Sequence, residues 1–205
     1  MKIISDNTIS EIEEFLKKKD EKREILILKS REIIRNSSKA IIFIHRKDFE
    51  KAFELIKLIE KILKETFSLC EEFPEFKYIG PLPQAIQEYA EAILTFYLIK
   101  EGKILSPKEL GIPLDSYING LIDSIGELRR YILDLLKEDN IKESEKILEI
   151  MDEIYTIIKG LEFAKGVLPN IKRKIDIIRR IVEETKANLT FIYHSKLIIN
   201  SFKNN

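Results

Sequence analysis

The segment PLPQAIQEYAEAILTFYLI, residues Pro81–Ile99, is far less charged than the rest of the chain. Charged residues make up 34% of the 205 residues, so a segment of this length should contain about six. It contains two, Glu88 and Glu91. Its apolar residues recur at intervals of three and four, which predicts an α-helix, here from Pro83 to Lys100, that is buried on most sides.

The polar residues of this helix form one narrow stripe. Gln84, Glu88, Glu91 and Thr95 follow one another at spacings of four, three and four residues, which places them on one helix face. Such a stripe faces either bulk water or a polar site within the protein. The pattern of this helix alone leaves both interpretations open.

A second segment, DSYINGLIDSIGELRRYILDLL, repeats the pattern from Asp115 onward. Asp123 is its only charge from Tyr117 to Gly126, and Glu127 follows one turn later on the same face. If the two helices pack with these faces together, four carboxylates converge.

Converging carboxylates have three common uses in proteins. They bind hard divalent cations such as Mg²⁺ or Mn²⁺, or they form the acid/base pair of a glycoside hydrolase. They also hold di-iron in helical bundles, which requires two Glu-x-x-His motifs. The chain has only His45 and His194, and neither follows a Glu by three residues. Di-iron is therefore disfavoured, and Mg²⁺ or Mn²⁺ is the expected cofactor.

Helical periodicity continues through most of the chain, and strict alternation of apolar and polar residues is absent. We therefore expect an all-α fold, a single-domain bundle of about seven helices spanning residues 1–205 with frayed ends at 1–6 and 201–205. The predicted helices are Thr8–His45 with a bend near Lys19–Glu24, Asp48–Cys70, Pro83–Lys100, a short helix capped by Ser106, one capped by Asp115 or Ser116 and ending near Lys137, Ile141–Phe163, and Pro169–Ile199.

Composition excludes several classes of protein. The 35 basic and 35 acidic residues balance, so any nucleic-acid site must be a local patch rather than a generally basic surface. One cysteine, Cys70, cannot form a disulfide framework and is expected in the core. No apolar run reaches the roughly 18 residues of a membrane span, and the first residues do not form a signal peptide. We expect a soluble, cytoplasmic protein with no membrane contact.

Four segments of the chain together resemble the translin family, in the order and spacing of that family. The resemblance implies a seven-helix fold and a hollow homo-oligomer, an octamer, with RNA held inside. The acidic stripe would then face a water-filled interior. The four segments are SREIIRNSSKAIIFIHR (Ser30–Arg46), QEYAEA (Gln87–Ala92), DSYINGLIDSIGELRR (Asp115–Arg130) and NIKRKIDIIRRIVEE (Asn170–Glu184).

The acidic residues distinguish the two branches of the family. Translin binds RNA and single-stranded DNA and lacks acidic residues at these positions, whereas translin-associated factor X uses them as metal ligands for endoribonuclease activity. The chain has them, so it resembles the latter branch, in a compact archaeal form. The resemblance implies that Glu88, Glu91, Asp123 and Glu127 bind Mg²⁺ or Mn²⁺ and cleave single-stranded RNA. A non-catalytic shell for single-stranded RNA or DNA is the alternative, and a helical scaffold without a ligand is the third possibility.

Two sets of basic residues are candidates for contacts with RNA. Lys39, His45 and Arg46 lie near the end of the first helix, and Lys39 shares a face with Arg46. Without the resemblance, a His-Arg pair at a helix C-terminus more often complements the helix dipole. The second set is Lys172 and Arg173, the first members of a basic series that continues with Arg179, Arg180 and Lys186. A solvated helix face is the competing interpretation.

Overall fold

The computed structural model describes residues 3–161, 168 and 171–203. These residues form seven α-helices and one 3₁₀ turn, with no β-strand among them, which confirms the all-α prediction. The α-helices are α1 (Asp6–His45), α2 (Phe49–Leu69), α3 (Leu82–Glu101), α4 (Pro107–Leu110), α5 (Leu114–Lys137), α6 (Ile141–Lys159) and α7 (Ile171–Lys203), and the 3₁₀ turn is Pro74–Lys77.

Local capping explains most helix boundaries. The side chains of Ser5 and Asp48 accept hydrogen bonds from backbone N–H groups at the starts of α1 and α2. Ser106 and Glu109 form the reciprocal capping box expected for α4. At the end of α3, Gly102 adopts a left-handed conformation with φ of 62°, which glycine tolerates without strain. α1 is one continuous helix from Asp6 to His45.

The predicted cap of α5 is wrong. The helix begins at Leu114 with Pro113 in the N-cap position, so Asp115 and Ser116 both lie in the first turn. Ser116 is buried, and its hydroxyl donates to the carbonyl oxygen of Pro83, 3.2 Å away. The Ser116 side chain therefore forms a tertiary hydrogen bond to α3 instead of capping α5.

The predicted end of α6 is also wrong. The helix ends at Lys159 rather than Phe163, and the Gly160 N–H closes the last turn on the carbonyls of Thr156 and Ile157. Glycine has low helix propensity, which favours termination there. Phe163 itself and the predicted start of the last helix at Pro169 lie outside the described residues.

α3 is the central helix and packs against α1, α2 and α5, while α6 and α7 pack against α5. Its apolar residues are almost all buried, as predicted. Thr95, however, is fully buried, so the polar stripe does not continue past Glu91. Within the part of the chain that the structure describes, no helix has the length and hydropathy needed to cross a membrane.

A close approach of α5 to α3 sets the position of the acidic residues. A Cβ atom at Gly120 would lie 2.6 Å from Ala90 Cβ and 2.8 Å from the Gln87 carbonyl oxygen, closer than atoms can pack. Only glycine allows the two backbones to meet here. Residues 87–91 of α3 and residues 120–127 of α5 are thereby brought together.

Candidate functional site

The structure brings the two acidic pairs into one cluster. Glu88 and Glu91 project from α3, and Asp123 and Glu127 project from α5; we call these four residues the acidic cluster. All four are partly buried. Burial, followed by the negative charges of Asp123, Glu88 and Glu127, raises the pKa of Glu91 from 4.5 to about 8. The four carboxyl groups therefore lie close enough for their charges to act on one another.

Asp123 has two neighbours that hold it in place. Gln87 Nε2 on α3 donates a hydrogen bond to Asp123 Oδ2 at 2.5 Å, and Lys174 Nζ on α7 lies 3.5 Å from Asp123 Oδ1. The ammonium group of Lys174 also lowers the pKa of Glu91 and so offsets part of the repulsion. Three helices thus contribute to the site.

Glu127 pairs with a histidine from α1. His45 Nε2 lies 2.5 Å from Glu127 Oε2, a hydrogen bond from the imidazole N–H to the carboxylate. The side chain of His45 is only 6% exposed, and its Nδ1 atom is buried without a hydrogen-bond partner within the described part of the chain. His45 therefore lies beside the acidic cluster, inside the bundle.

The donor set suits a hard divalent cation, because it contains only carboxylate oxygens with unbalanced negative charge. In residues 3–161, 168 and 171–203, however, no three His, Cys, Asp or Glu side chains have an arrangement that could hold a metal ion. The carboxylates of Glu88, Asp123 and Glu127 are turned toward Gln84, Gln87 and His45. Binding a cation would require side-chain rotation, so the ligand set stays a prediction.

Lys39 and Arg46 lie in a different place from His45. They line an open groove of about 620 Å³ between α1 and α2, together with Lys51 and Glu54. The apolar floor of the groove includes Ile42, which is 43% exposed. The structure thus divides the first predicted RNA-binding set between this groove and the acidic cluster.

The second basic set lies on the first turn of α7. Lys172 and Arg173 are exposed, whereas the next residue, Lys174, turns toward Asp123. Sequence reasoning missed Lys174 and Gln87. Gln87 immediately precedes Glu88, and Lys174 belongs to the basic segment NIKRKID. These positions in the sequence do not show which polar residue of each segment points toward the cluster.

The fold and site define an all-α protein with a carboxylate-rich site between two central helices and basic residues around it. The sequence profile described as the Translin family matches residues 21–187. The chain belongs to the translin family. The resemblance to this family that the sequence indicated is thereby confirmed.

Relatives extend the comparison over nearly the whole chain. An uncharacterized protein of Methanocaldococcus jannaschii is 38% identical over 200 residues, covering 95% of this chain and 87% of that protein. The Translin-associated protein X homolog of Schizosaccharomyces pombe is 24% identical over 199 residues, covering 90% and 84%. Among solved structures, AfC3PO in complex with duplex RNA superposes with a TM-score of 0.84 at 29% identity, covering 92% of this chain and 98% of that chain.

Proposed function

We propose that this protein is a divalent-metal-dependent endoribonuclease that cleaves single-stranded RNA inside a hollow homo-oligomer. The observation that carries the proposal is the acidic cluster itself, in which Glu91 is partly buried among the charges of three other carboxyl groups. Such an arrangement destabilises a fold unless a cation binds it, and strained groups of this kind are common at functional sites.

The residues of the cluster fall into two roles. Glu88, Glu91 and Asp123 would hold Mg²⁺ or Mn²⁺, with Glu127 as a further ligand or a base. A cation held there would lower the pKa of bound water and neutralise charge on phosphate oxygens. His45 occupies Glu127 Oε2, so Glu127 Oε1 is the oxygen available to accept a proton from water.

RNA binding requires cations near the acidic cluster, since carboxylates alone repel phosphates. Lys172 and Arg173 stand on the first turn of α7, next to Lys174 at the cluster. Lys39 and Arg46 in the groove between α1 and α2 would bind a more distant part of the strand. The solved complex of AfC3PO with duplex RNA supports an RNA ligand for this chain too.

Assembly into a closed oligomer, an octamer by family resemblance, would place the cluster in an enclosed space. Several large apolar side chains near both ends of the chain are exposed and available for contacts between copies. They include Ile9, Ile12, Phe15 and Leu16 on α1 and Phe191, Leu197 and Ile198 on α7. Exposed apolar area of this kind is consistent with an interface.

The direct test is incubation of purified protein with labelled single-stranded RNA in Mg²⁺, in Mn²⁺ and in EDTA. We expect cleavage only with a divalent cation, and its loss in Glu91→Gln with RNA binding retained. The matched control is Glu145→Gln, which changes an exposed carboxylate on α6. Cleavage by Glu91→Gln at the wild-type rate would contradict the proposal. A parallel sample of duplex RNA tests whether strandedness matters.

A non-catalytic shell for single-stranded RNA or DNA is the second candidate. It is favoured by one observation: the carboxylates of Glu88, Asp123 and Glu127 already have partners within the chain. A gel shift with RNA and with single-stranded DNA, without cleavage in any divalent cation, would establish this alternative. No shift with either nucleic acid would leave only a structural scaffold.

A further inference from the structure

Lys174 brings a positive charge to the acidic cluster. Its ammonium group lies 3.5 Å from Asp123 Oδ1, and its charge acts on Glu91 across the cluster. Gln87 engages the other oxygen of Asp123. Lys174 and Gln87 therefore compete with a cation for the two carboxylate oxygens of Asp123.

At the start of α7, the positive charge of Lys174 is electrostatically unfavourable unless an anionic partner lies nearby. Lys174 belongs to the first turn of the helix, which contains no acidic residue but does contain Lys172 and Arg173. The positive end of the helix dipole disfavours cations there. The contact with Asp123 offsets this cost in the arrangement described.

Lys174 has room to move without leaving the site. A cavity of about 290 Å³ lies beside it, lined by Gly126, Ile177, Ile178 and Ile181 together with Asp123. Among the described residues, no atom outside the helix would lie within 4 Å of a Cβ at Gly126, so α5 leaves open space there. The cavity lining is mainly isoleucine, so the aliphatic part of the Lys174 side chain can lie along it while the ammonium group leaves Asp123 and stays in solvent near the cluster.

We propose that Lys174 is a substrate-binding residue. In the metal-free protein its ammonium group neutralises Asp123, and when a divalent cation binds Asp123 instead, the ammonium group moves to an RNA phosphate. This inference rests on the proposed function. It makes metal and RNA bind cooperatively: the cation releases the ammonium for the phosphate, and the phosphate holds the ammonium away from the cation. Coupling between two ligands is reciprocal, so each must tighten the other by the same factor.

The test is calorimetric titration of Mn²⁺ into the protein, with and without a short 2′-O-methylated single-stranded RNA oligonucleotide. For the wild type we expect the oligonucleotide to tighten Mn²⁺ binding by at least about fivefold, the lower end of typical coupling. Lys174→Met should bind Mn²⁺ more tightly than the wild type when RNA is absent, because the competing cation is gone. The same variant should show a smaller tightening on addition of RNA than the wild type, because only the direct contact between cation and phosphate still couples the two ligands.

Two further variants separate charge from structure. Lys174→Gln keeps a polar side chain and should behave as Lys174→Met. Agreement between the two variants would show that the effect does not come from a folding defect in Lys174→Met. Lys142→Met removes an exposed lysine from α6 and should match the wild type in both titrations.

The outcomes distinguish the inference from the proposed function. A wild type that does not bind Mn²⁺ at all overturns both. A wild type that binds Mn²⁺, with variants that bind it no more tightly or keep the full effect of RNA, overturns only the role of Lys174. Tighter Mn²⁺ binding together with reduced coupling in both Lys174 variants supports it.

Discussion

Replacement of Glu91 by Gln should stabilise the metal-free protein, and the gain should depend on pH. Burial, with the charges of Asp123, Glu88 and Glu127, raises the pKa of Glu91 in the folded protein from 4.5 to about 8. Below about pH 4.5 the carboxyl group is protonated in both the folded and the unfolded chain. Between these two pH values the folded state binds more protons than the unfolded state, so stability falls as pH rises. Above pH 8 the full penalty of the charged group is present.

The size of the effect follows from the pKa shift. One pKa unit corresponds to about 1.4 kcal/mol, so the shift sets an upper limit of about 5 kcal/mol on the stability lost above pH 8. Glu91 is only partly buried, and solvent screening reduces that limit. We therefore expect Glu91→Gln to gain about 1–3 kcal/mol at pH 9 and almost nothing at pH 4.5. Glutamine has nearly the same shape, so packing changes little.

The assay is urea denaturation in EDTA, followed by circular dichroism at pH 4.5, 6, 7.5 and 9. Glu145→Gln, at an exposed position of α6, is the control and should show no comparable dependence on pH. Mn²⁺ should stabilise the wild type more than it stabilises Glu91→Gln. The variant lacks one of the carboxylates that would bind the ion in the folded protein, so it binds Mn²⁺ more weakly. A difference between Glu91→Gln and the wild type that is constant with pH, or a less stable variant at pH 9, would refute the electrostatic reasoning.

Light scattering should give a mass several times the 24.1 kDa of one chain, and a monomer at micromolar concentration would contradict an enclosed site for RNA. Arg46→Ala should reduce the slope of log RNA affinity against log salt concentration by about one, whereas an unchanged slope would leave Arg46 as a complement to the helix dipole. Gly120→Ala should lower the free energy of unfolding by about 1–3 kcal/mol, because its Cβ would overlap Ala90. Gly126→Ala, where a Cβ meets open space, should be neutral or stabilising by up to about 1 kcal/mol, and equal losses in both variants would count against the close contact of α3 and α5.

The sequence alone determined the helices and the faces of their acidic residues. A helix has a constant 3.6-residue period, so the spacing of Glu88 and Glu91, or of Asp123 and Glu127, already places each pair on one side. The same period predicted the burial of α3 on most sides. The start of α5 and the end of α6 were predicted less well. At the start of α5, a tertiary hydrogen bond to Pro83 engages Ser116, which the local pattern could not show.

Only the tertiary structure decided which side chains complete the site. His45 is separated from Glu127 by 82 residues, and Gln87 is separated from Asp123 by 36, so no local period relates them. Their meeting depends on how closely α1, α3 and α5 pack, and Gly120 shows that one missing Cβ permits the closest approach. The inward turn of Lys174, beside the exposed Lys172 and Arg173, has the same origin. Periodicity orients side chains around a single helix axis, but the partner that each side chain meets is determined by the distance and crossing of neighbouring helices.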